Sequence, residues 1–247
     1  MRANIRAFVA SVAECFDMAE PIFEFGSYIV AGQEHLGDLR ELFPGRRYVG
    51  CDMRAGPGVD RIEDLGRLTL PDDSVPSILC LETLEHVFEV RRAIDEIIRV
   101  LAPGGIVVIS TPLNFYLHDY PGDYWRLTPS CLDRLLSPLG ATIVGRQGVE
   151  SFPHTVFAVG CKDPVPDTFA SRVGRFTSTF QRRLRELEAA EPRWKKFKRR
   201  YLGLLRSKGE RRRERAYYET QFTAWLRQPQ PAQGAATLAG LLNSASA

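Results

Sequence analysis

The chain has 247 residues, of which 44% are hydrophobic and 26% charged. This composition is typical of a globular domain in water, and no apolar run reaches the roughly 18 residues that a membrane-spanning helix requires. Acidic residues interrupt the N-terminal stretch where a signal peptide would be apolar, so we expect a helix there and a cytoplasmic protein.

The five cysteines are spread along the chain and form no C-x-x-C pair. Scattered cysteines in odd number predict reduced thiols and argue against a disulfide framework or a zinc site. Cys51 and Cys80 lie in apolar runs and are expected to be small buried hydrophobic residues. The sequence therefore predicts no metal site.

The net charge of +3 hides a strong asymmetry along the chain. Residues 1–160 carry 14 Lys and Arg against 22 Asp and Glu, whereas residues 161–247 carry 19 against 8. An acidic N-terminal part and a basic C-terminal part predict two units with different roles.

Apolar runs and breaker residues predict alternating helices and strands in the first part. In chain order these are a helix over 4–19, a strand over 22–25, a helix over 33–43, strands over 48–52 and 77–81, a helix over 87–100, a strand over 106–111, a helix over 130–139, and strands near 142–149 and 155–161. Such an order with nearly continuous apolar strands predicts an α/β fold with a doubly wound, mostly parallel sheet. Ligands of these sheets bind outside the carboxyl ends of the strands.

A different character begins after Pro164 and Pro166. Apolar residues at helical spacing predict basic helices containing Phe176, Phe180, Leu184 and Leu187, then Trp194, Phe197, Tyr201 and Leu205, and a third stretch over 210–227 with Tyr218, Phe222 and Trp225. The predicted organisation is a domain over 1–162, a basic helical extension over 163–228, and a disordered tail over 229–247.

A glycine-bracketed loop, E-F-G-S-Y-I-V-A-G over 24–32, follows the first strand. Its glycines would let the backbone approach a nucleotide. The G-x-G-x-x-G pattern that places pyrophosphate on a helix N-terminus is absent. Glu24 would repel a phosphate but would suit a cationic ligand, while a tight turn without any ligand is the alternative.

A second acid, Asp52, ends the next strand, where such sheets present a carboxylate to ribose hydroxyls. The alternative is a solvated strand-end aspartate. Glu63 and Asp64 come next, and an acid here could accept a hydrogen bond from an adenine amine.

These motifs together resemble the class I S-adenosylmethionine-dependent methyltransferases of the kind called methyltransferase type 11, over about residues 20–160. The resemblance rests most on L-C-L-E-T-L-E-H-V over 79–87 and on V-L-A-P-G-G-I-V-V-I-S-T-P over 100–112. It implies a Rossmann-like fold with a seven-stranded sheet, carrying here a basic helical C-terminal extension, and S-adenosyl-L-methionine as cofactor.

The resemblance also implies the cofactor contacts. Those at the methionine end are Glu24, Gly26, Ser27, Tyr28 and Gly32; those at the ribose and adenine are Asp52, Met53, Glu63, Asp64 and Leu65; those beneath or beside the cofactor are Leu81, Glu82, Thr83 and His86. This sequence departs from the family in having Tyr28 where the second glycine stands, and in the longer loop to Gly32.

The segment 114–129 is rich in aromatic and ionisable residues and follows the strand predicted over 106–111. We predict a substrate wall or lid, with Tyr116, Tyr124, Trp125 and Arg126 as substrate-binding residues. An imidazole titrates near neutral pH, so His118 is the candidate base for a hydroxyl acceptor, assisted by Asp119. A structural loop with an Asp–Arg pair and buried rings is the alternative.

The predicted function is methylation of a hydroxyl on a saccharide or other small-molecule metabolite. The alternatives are a non-catalytic scaffold that acts through its basic tail, and a methyltransferase acting on RNA or protein. The tail is expected to pack on the domain, on a second subunit or on a protein partner, with a membrane surface or nucleic acid as the other readings.

Overall fold

A computed structural model of the chain describes residues 2–118, 122–192 and 208–227. The helices are α1 (Ala3–Cys15), α2 (Glu34–Gly37), α3 (Val90–Val100), α4 (Pro129–Leu135), α5 (Thr168–Ala190) and α6 (Lys208–Arg215). The strands are β1 (Ile22–Phe25), β2 (Tyr48–Asp52), β3 (Arg61–Ile62), β4 (Val75–Leu81), β5 (Leu101–Pro112), β6 (Ala141–Val149), β7 (Phe152–Cys161) and β8 (Thr220–Leu226). Short 3₁₀ turns cover Arg40–Leu42 and Leu84–His86.

The strands form one sheet in the order β3-β2-β1-β4-β5-β7-β6-β8. Strands β3, β2, β1, β4 and β5 pair in parallel, and β7, β6 and β8 pair antiparallel. The predicted α/β class with a doubly wound, mostly parallel sheet is confirmed. Because the order reverses direction between β1 and β4, a crevice opens there at the carboxyl ends of the strands.

Helices cover both faces of the sheet, since strand residues alternate between two apolar cores. One core joins Phe23 and Phe25 of β1 to Ile94 and Ile97 of α3. The other joins Ile22 of β1 to α1 and α5. Burial on both faces explains the continuous apolar strands from which the parallel sheet was predicted.

Helix α5 packs on α1 and belongs to the second core. Phe8 of α1 contacts Phe176 and Phe180, with ring centroids 5.9 and 5.6 Å apart. At the rim, Glu14 accepts a hydrogen bond from Arg183 at 2.8 Å. The first part of the basic extension therefore packs on the domain itself, which was one of the predicted arrangements of the tail.

The segment predicted as a third helix, over 210–227, is wrong in its second half. Only Lys208–Arg215 is helical, and Thr220–Leu226 pairs antiparallel with β6 as an eighth strand. Phe222 lies over Gly145, where a Cβ would stand 2.1 Å from its ring, and contacts Phe176 at 5.3 Å. The open edge of β6 supplies backbone hydrogen bonds that outweigh the helical spacing of the aromatic residues, so the sheet has eight strands rather than seven.

Several predictions for the extension fall on Trp194, Phe197, Tyr201 and Leu205, which lie outside the described residues. The tail over 229–247 also lies outside them. Among the described residues, none of the helices combines the length and the hydropathy that a membrane span requires.

Candidate functional site

A cavity of about 540 Å³ lies at the carboxyl edge of the parallel strands. Its lining comes from the loops that follow β1, β2, β3, β4 and β5, and also from Arg2. This volume is in the range of small-molecule and cofactor sites, which hold about 300–1,000 Å³. The predicted cofactor residues lie together in it: Glu24, Gly26, Ser27, Tyr28, Asp52, Met53, Glu63, Asp64, Leu65, Leu81, Glu82, Thr83 and His86.

The turn after β1 depends on Gly26. Its φ of +86° is in the region that favours glycine, and a Cβ there would stand 2.1 Å from Oγ1 of Thr83. The amides of Gly26 and Ser27 both donate to the carbonyl of Cys51, at 2.8 and 3.0 Å. These bonds hold the β1 loop against the end of β2 and leave its backbone facing the cavity.

Tyr28 stands where the resembled family has its second glycine, and it lines the cavity. Its ring packs against Gly56, where a Cβ would lie 2.3 Å from Cε2, and Arg54 stacks over it at 4.6 Å. The loop therefore turns this side chain toward the segment after β2. Gly32 is exposed, and it is not part of the cavity lining.

Glu24 is a buried carboxyl group at the head of the cavity, with 3% of its surface exposed. The hydroxyl of Tyr48 donates to its Oε2 at 2.7 Å. Burial raises the pKa of Glu24 to about 7, although the Tyr48 hydrogen bond and the charge of Arg40 act in the other direction. Near neutral pH this group is poised to ionise when a cation arrives.

Asp52 ends β2 on the opposite side of the β1 loop. Its carboxylate accepts hydrogen bonds from the amides of Arg54 and Tyr28, at 3.1 and 3.4 Å. Met53 beside it is 57% exposed although it lines the cavity. A fixed carboxylate with an apolar neighbour is the arrangement that a ribose and an adenine ring require.

Glu63 and Asp64 differ in what they offer to a ligand. Glu63 is buried. Its Oε1 accepts a hydrogen bond from Oγ1 of Thr69 at 2.6 Å and another from Nε of Arg61 at 2.5 Å. Burial acts to raise its pKa, but these hydrogen bonds outweigh it and hold the pKa below its usual range. Asp64 is exposed at the rim and caps Gly66, and Leu65 is buried beneath. Of the two acids, Asp64 is therefore the one free to face solvent and a ligand.

Glu82 lies at the floor, where β4 ends with a φ of +51°. Its Oε2 accepts from Nη2 and Nε of Arg2, at 2.7 and 3.0 Å. Arg2 also stacks on Phe115 with its Cζ 5.2 Å from the ring centroid. The residue just before α1 thus closes one side of the cavity.

The far end of the cavity has an aromatic wall made of Phe115, Tyr116, His118 and His86. The rings of Phe115 and Tyr116 stack at 4.2 Å, and those of His86 and His118 lie 5.0 Å apart. His118 Nδ1 is 3.2 Å from Oδ2 of Asp123. The partner beside His118 is therefore Asp123, while the predicted helper Asp119 lies outside the described residues.

Three predicted substrate residues, Tyr124, Trp125 and Arg126, are not part of the cavity lining. The Trp125 indole donates to the carbonyls of Val87 and Phe88, and Arg126 donates with two nitrogens to Asp123. These bonds fix the segment against the turn that follows β4. Substrate binding by these three residues stays a prediction.

Sequence reasoning missed Arg2, Phe115 and Glu85. Arg2 is far from the other lining residues along the chain, and no local pattern connects it with Glu82. Glu85 is 1% exposed, and burial followed by the charge of Glu82 raises its pKa well above the usual range. The E-T-L-E-H spacing was the available signal, because a 3₁₀ turn after the strand directs some of these side chains inward.

The residues present fit a positively charged nucleoside. Ser27 Oγ is buried and has no hydrogen-bond partner within the described ranges. It lies beside a glycine turn that a side chain would close, and Glu24 and Asp52 line the same cavity. Such donors and acids suit the amino acid and ribose parts of S-adenosyl-L-methionine.

Comparison with known proteins gives a family match and a related sequence. Residues 39–109 match the family model for a methyltransferase domain. A probable S-adenosylmethionine-dependent methyltransferase of Mycolicibacterium smegmatis (strain ATCC 700084 / mc(2)155) is 36% identical over 66 residues, which are 27% of this chain and 23% of that protein. The chain thus matches about a quarter of the length of this curated relative.

Solved structures share the fold. A SAM-dependent methyltransferase from Archaeoglobus fulgidus matches with a TM-score of 0.50 at 14% identity, over 64% of this chain and 93% of that one. An S-adenosylmethionine-dependent methyltransferase from Mesorhizobium loti matches with a TM-score of 0.47 at 17% identity, over 64% and 98%. At these identities the likeness concerns the fold alone. The sequence matches show that residues 39–109 resemble a methyltransferase domain, and that a stretch of 66 residues resembles a probable S-adenosylmethionine-dependent methyltransferase.

Proposed function

We propose that this protein is a methyltransferase that transfers the methyl group of S-adenosyl-L-methionine to a hydroxyl of a saccharide or other small metabolite. The observation that carries the proposal is the buried Glu24 beside the glycine turn, with Asp52 at the next strand end. Both acids line one cavity, and a cationic nucleoside bound there would use both. A pyrophosphate on the glycine turn would lie beside the Glu24 carboxyl group, and the G-x-G-x-x-G pattern that binds pyrophosphate is absent.

The protein's part in this reaction is mainly alignment. When bound, the cofactor supplies a methyl group on a sulfonium, which is already activated for displacement. Asp52 would hold the ribose and Glu24 the cationic end of the cofactor, in the same cavity that Tyr116 and His118 line. Holding the two reactants in line can supply much of the rate acceleration.

The aromatic wall supports a ring-shaped, polar acceptor. Phe115 and Tyr116 present stacked rings, and Tyr116 is 72% exposed. Such a surface can pack on a sugar or aromatic ring while the imidazoles of His86 and His118 face its hydroxyl groups. Labelled S-adenosyl-L-methionine, offered with sugar, phenol, carboxylate and RNA acceptors, tests this acceptor class, and transfer to RNA alone would contradict it.

Calorimetric titration with S-adenosyl-L-methionine tests cofactor binding. We expect Asp52→Ala and Glu24→Gln to weaken binding at least tenfold, because each removes a charged acceptor from the cavity. Glu41→Gln is the matched control, since Glu41 is exposed and pairs with Arg6 away from the lining. No binding heat with the unmodified protein would contradict the proposal and favour the non-catalytic scaffold.

A further inference from the structure

Glu85, His86 and His118 form a compact cluster at the acceptor end of the cavity. Each residue offers one ligand atom, a carboxylate oxygen or an imidazole nitrogen, and these atoms lie within 4.8 Å of one another. His86 and His118 line the cavity, and Glu85 lies behind them.

The buried member of the cluster is Glu85. It is 1% exposed, and neither carboxylate oxygen has a hydrogen-bond partner in the described part of the chain. Nε2 of His86 lies 3.8 Å from its Oε1. A buried carboxyl group that makes no hydrogen bond is unfavourable whether or not it is ionised, and a bound cation would compensate it.

The two histidines are held as metal ligands usually are. His86 Nδ1 contacts the carbonyl of Gly122 at 2.5 Å, which places the proton there and leaves Nε2 with a free lone pair. His118 Nδ1 lies 3.2 Å from Oδ2 of Asp123 but makes no hydrogen bond within the described residues, and that carboxylate is itself held by Arg126. A carbonyl or carboxylate behind a metal-bound imidazole fixes its orientation and tautomer.

We propose that Glu85, His86 and His118 bind a divalent transition-metal ion of the zinc class. One carboxylate and two imidazoles are a ligand set of catalytic zinc sites, which leave the fourth position open. A tetrahedral ion holds its ligand atoms about 3.5 Å apart, so the cluster would close by about 1 Å on binding. The expectation of no metal came from the cysteines, and none of these ligands is a cysteine.

An ion held by these three residues would leave one position open to the cavity that His86 and His118 line, and its role toward the acceptor rests on the proposed methyltransferase function. An acceptor hydroxyl on the ion would lose its proton to solvent water, since a bound cation lowers the pKa of such a group. The oxygen would then form a bond to the methyl carbon as the carbon–sulfur bond breaks, with its electron pair remaining on sulfur. His118 is in that case a ligand and not the base that the sequence predicts.

Metal binding by the tag-free full chain tests the proposal. After treatment with chelator, Zn²⁺ is titrated by calorimetry, and the bound metal is measured by mass spectrometry. We expect one equivalent per chain in the unmodified protein and at least a hundredfold weaker binding in Glu85→Gln and His118→Ala. His35→Ala is the matched control and should bind normally, because His35 is exposed and outside the cluster.

Two further measurements keep the test interpretable. Thermal melts establish that each variant is folded, and Co²⁺ substitution should give a spectrum without thiolate charge-transfer absorption. Binding that is substoichiometric, or unchanged in both Glu85→Gln and His118→Ala, overturns the proposal. Titration with S-adenosylhomocysteine is run in parallel: cofactor binding without zinc binding refutes the metal site alone, and its absence refutes the proposed function.

Discussion

Glu24 combines burial with a position where an anion is needed. Burial disfavours its charged form, yet the carboxylate must be charged to attract a cationic ligand. The Tyr48 hydroxyl and the distant charge of Arg40 offset part of this cost, and they leave the pKa at about 7 rather than higher. At this residue, function is therefore expected to cost stability.

The Glu24→Gln variant tests that cost. The pKa of Glu24 rises from 4.5 to about 7 on folding, so the folded protein binds this proton more tightly than the unfolded chain. The associated stability is present below pH 4.5 and is lost as pH rises to about 7. Relative to the wild type, we expect Glu24→Gln to gain about 1–3 kcal/mol in free energy of unfolding between about pH 5 and about pH 8. Urea unfolding of both proteins at the two pH values measures this gain in the free energy of unfolding. If the difference in stability between the two proteins is the same at both pH values, the prediction is wrong.

At the scale of elements, β8 illustrates how an edge recruits a distant segment. Strand β6 would otherwise expose its backbone groups along one side, and Thr220–Leu226 satisfies them. Phe222 points from β8 into the core that contains Phe157, Phe176 and Phe180, whereas Trp225 is 51% exposed. The strand is therefore anchored by one ring and a ladder of backbone hydrogen bonds.

Substitution on β8 should separate these contributions. We expect Phe222→Ala to lower the free energy of unfolding by about 1–3 kcal/mol, because a partly buried ring is removed from an aromatic cluster. Trp225→Ala on the same strand is the control, with a loss below about 1 kcal/mol. Denaturant titration of the two variants decides the matter, and equal losses would show that Phe222 is not the anchor.

For the whole molecule, the charge asymmetry of the sequence does not correspond to two separate bodies. Helix α5 and β8 share one core with α1 and with β1, β4, β5, β6 and β7. Basic residues of α5 form salt bridges with acidic residues of the N-terminal part. One of them joins Arg172 to Asp17 at 2.7 Å. The opposite charges therefore meet across an internal contact, although exposed ion pairs of this kind add little stability.

Because α5 shares a core with α1 and the sheet, we expect these elements to unfold together. Phe176 of α5 is fully buried against Phe8 and Phe16, so we expect Phe176→Ala to cost about 3–5 kcal/mol. The whole transition should move, as judged by circular dichroism and by limited proteolysis of the N-terminal part. The matched control is Arg175→Ala one residue earlier, whose side chain is 64% exposed and should shift the transition by less than about 0.5 kcal/mol. Separate loss of α5 with an intact parallel sheet would contradict a single cooperative unit.

The sequence by itself determined the parallel sheet, the place of the crevice and most of its lining. Apolar strands, the glycine bend at Gly26 and the acid at Asp52 are local signals, because each is fixed by a few neighbouring residues and their backbone geometry.

Only the tertiary structure decided that Arg2 pairs with Glu82, that Thr220–Leu226 is a strand, and that the buried Glu85 lies close to His118. Each of these depends on contacts between segments that are far apart in the chain or on an open sheet edge, and local periodicity carries no record of them.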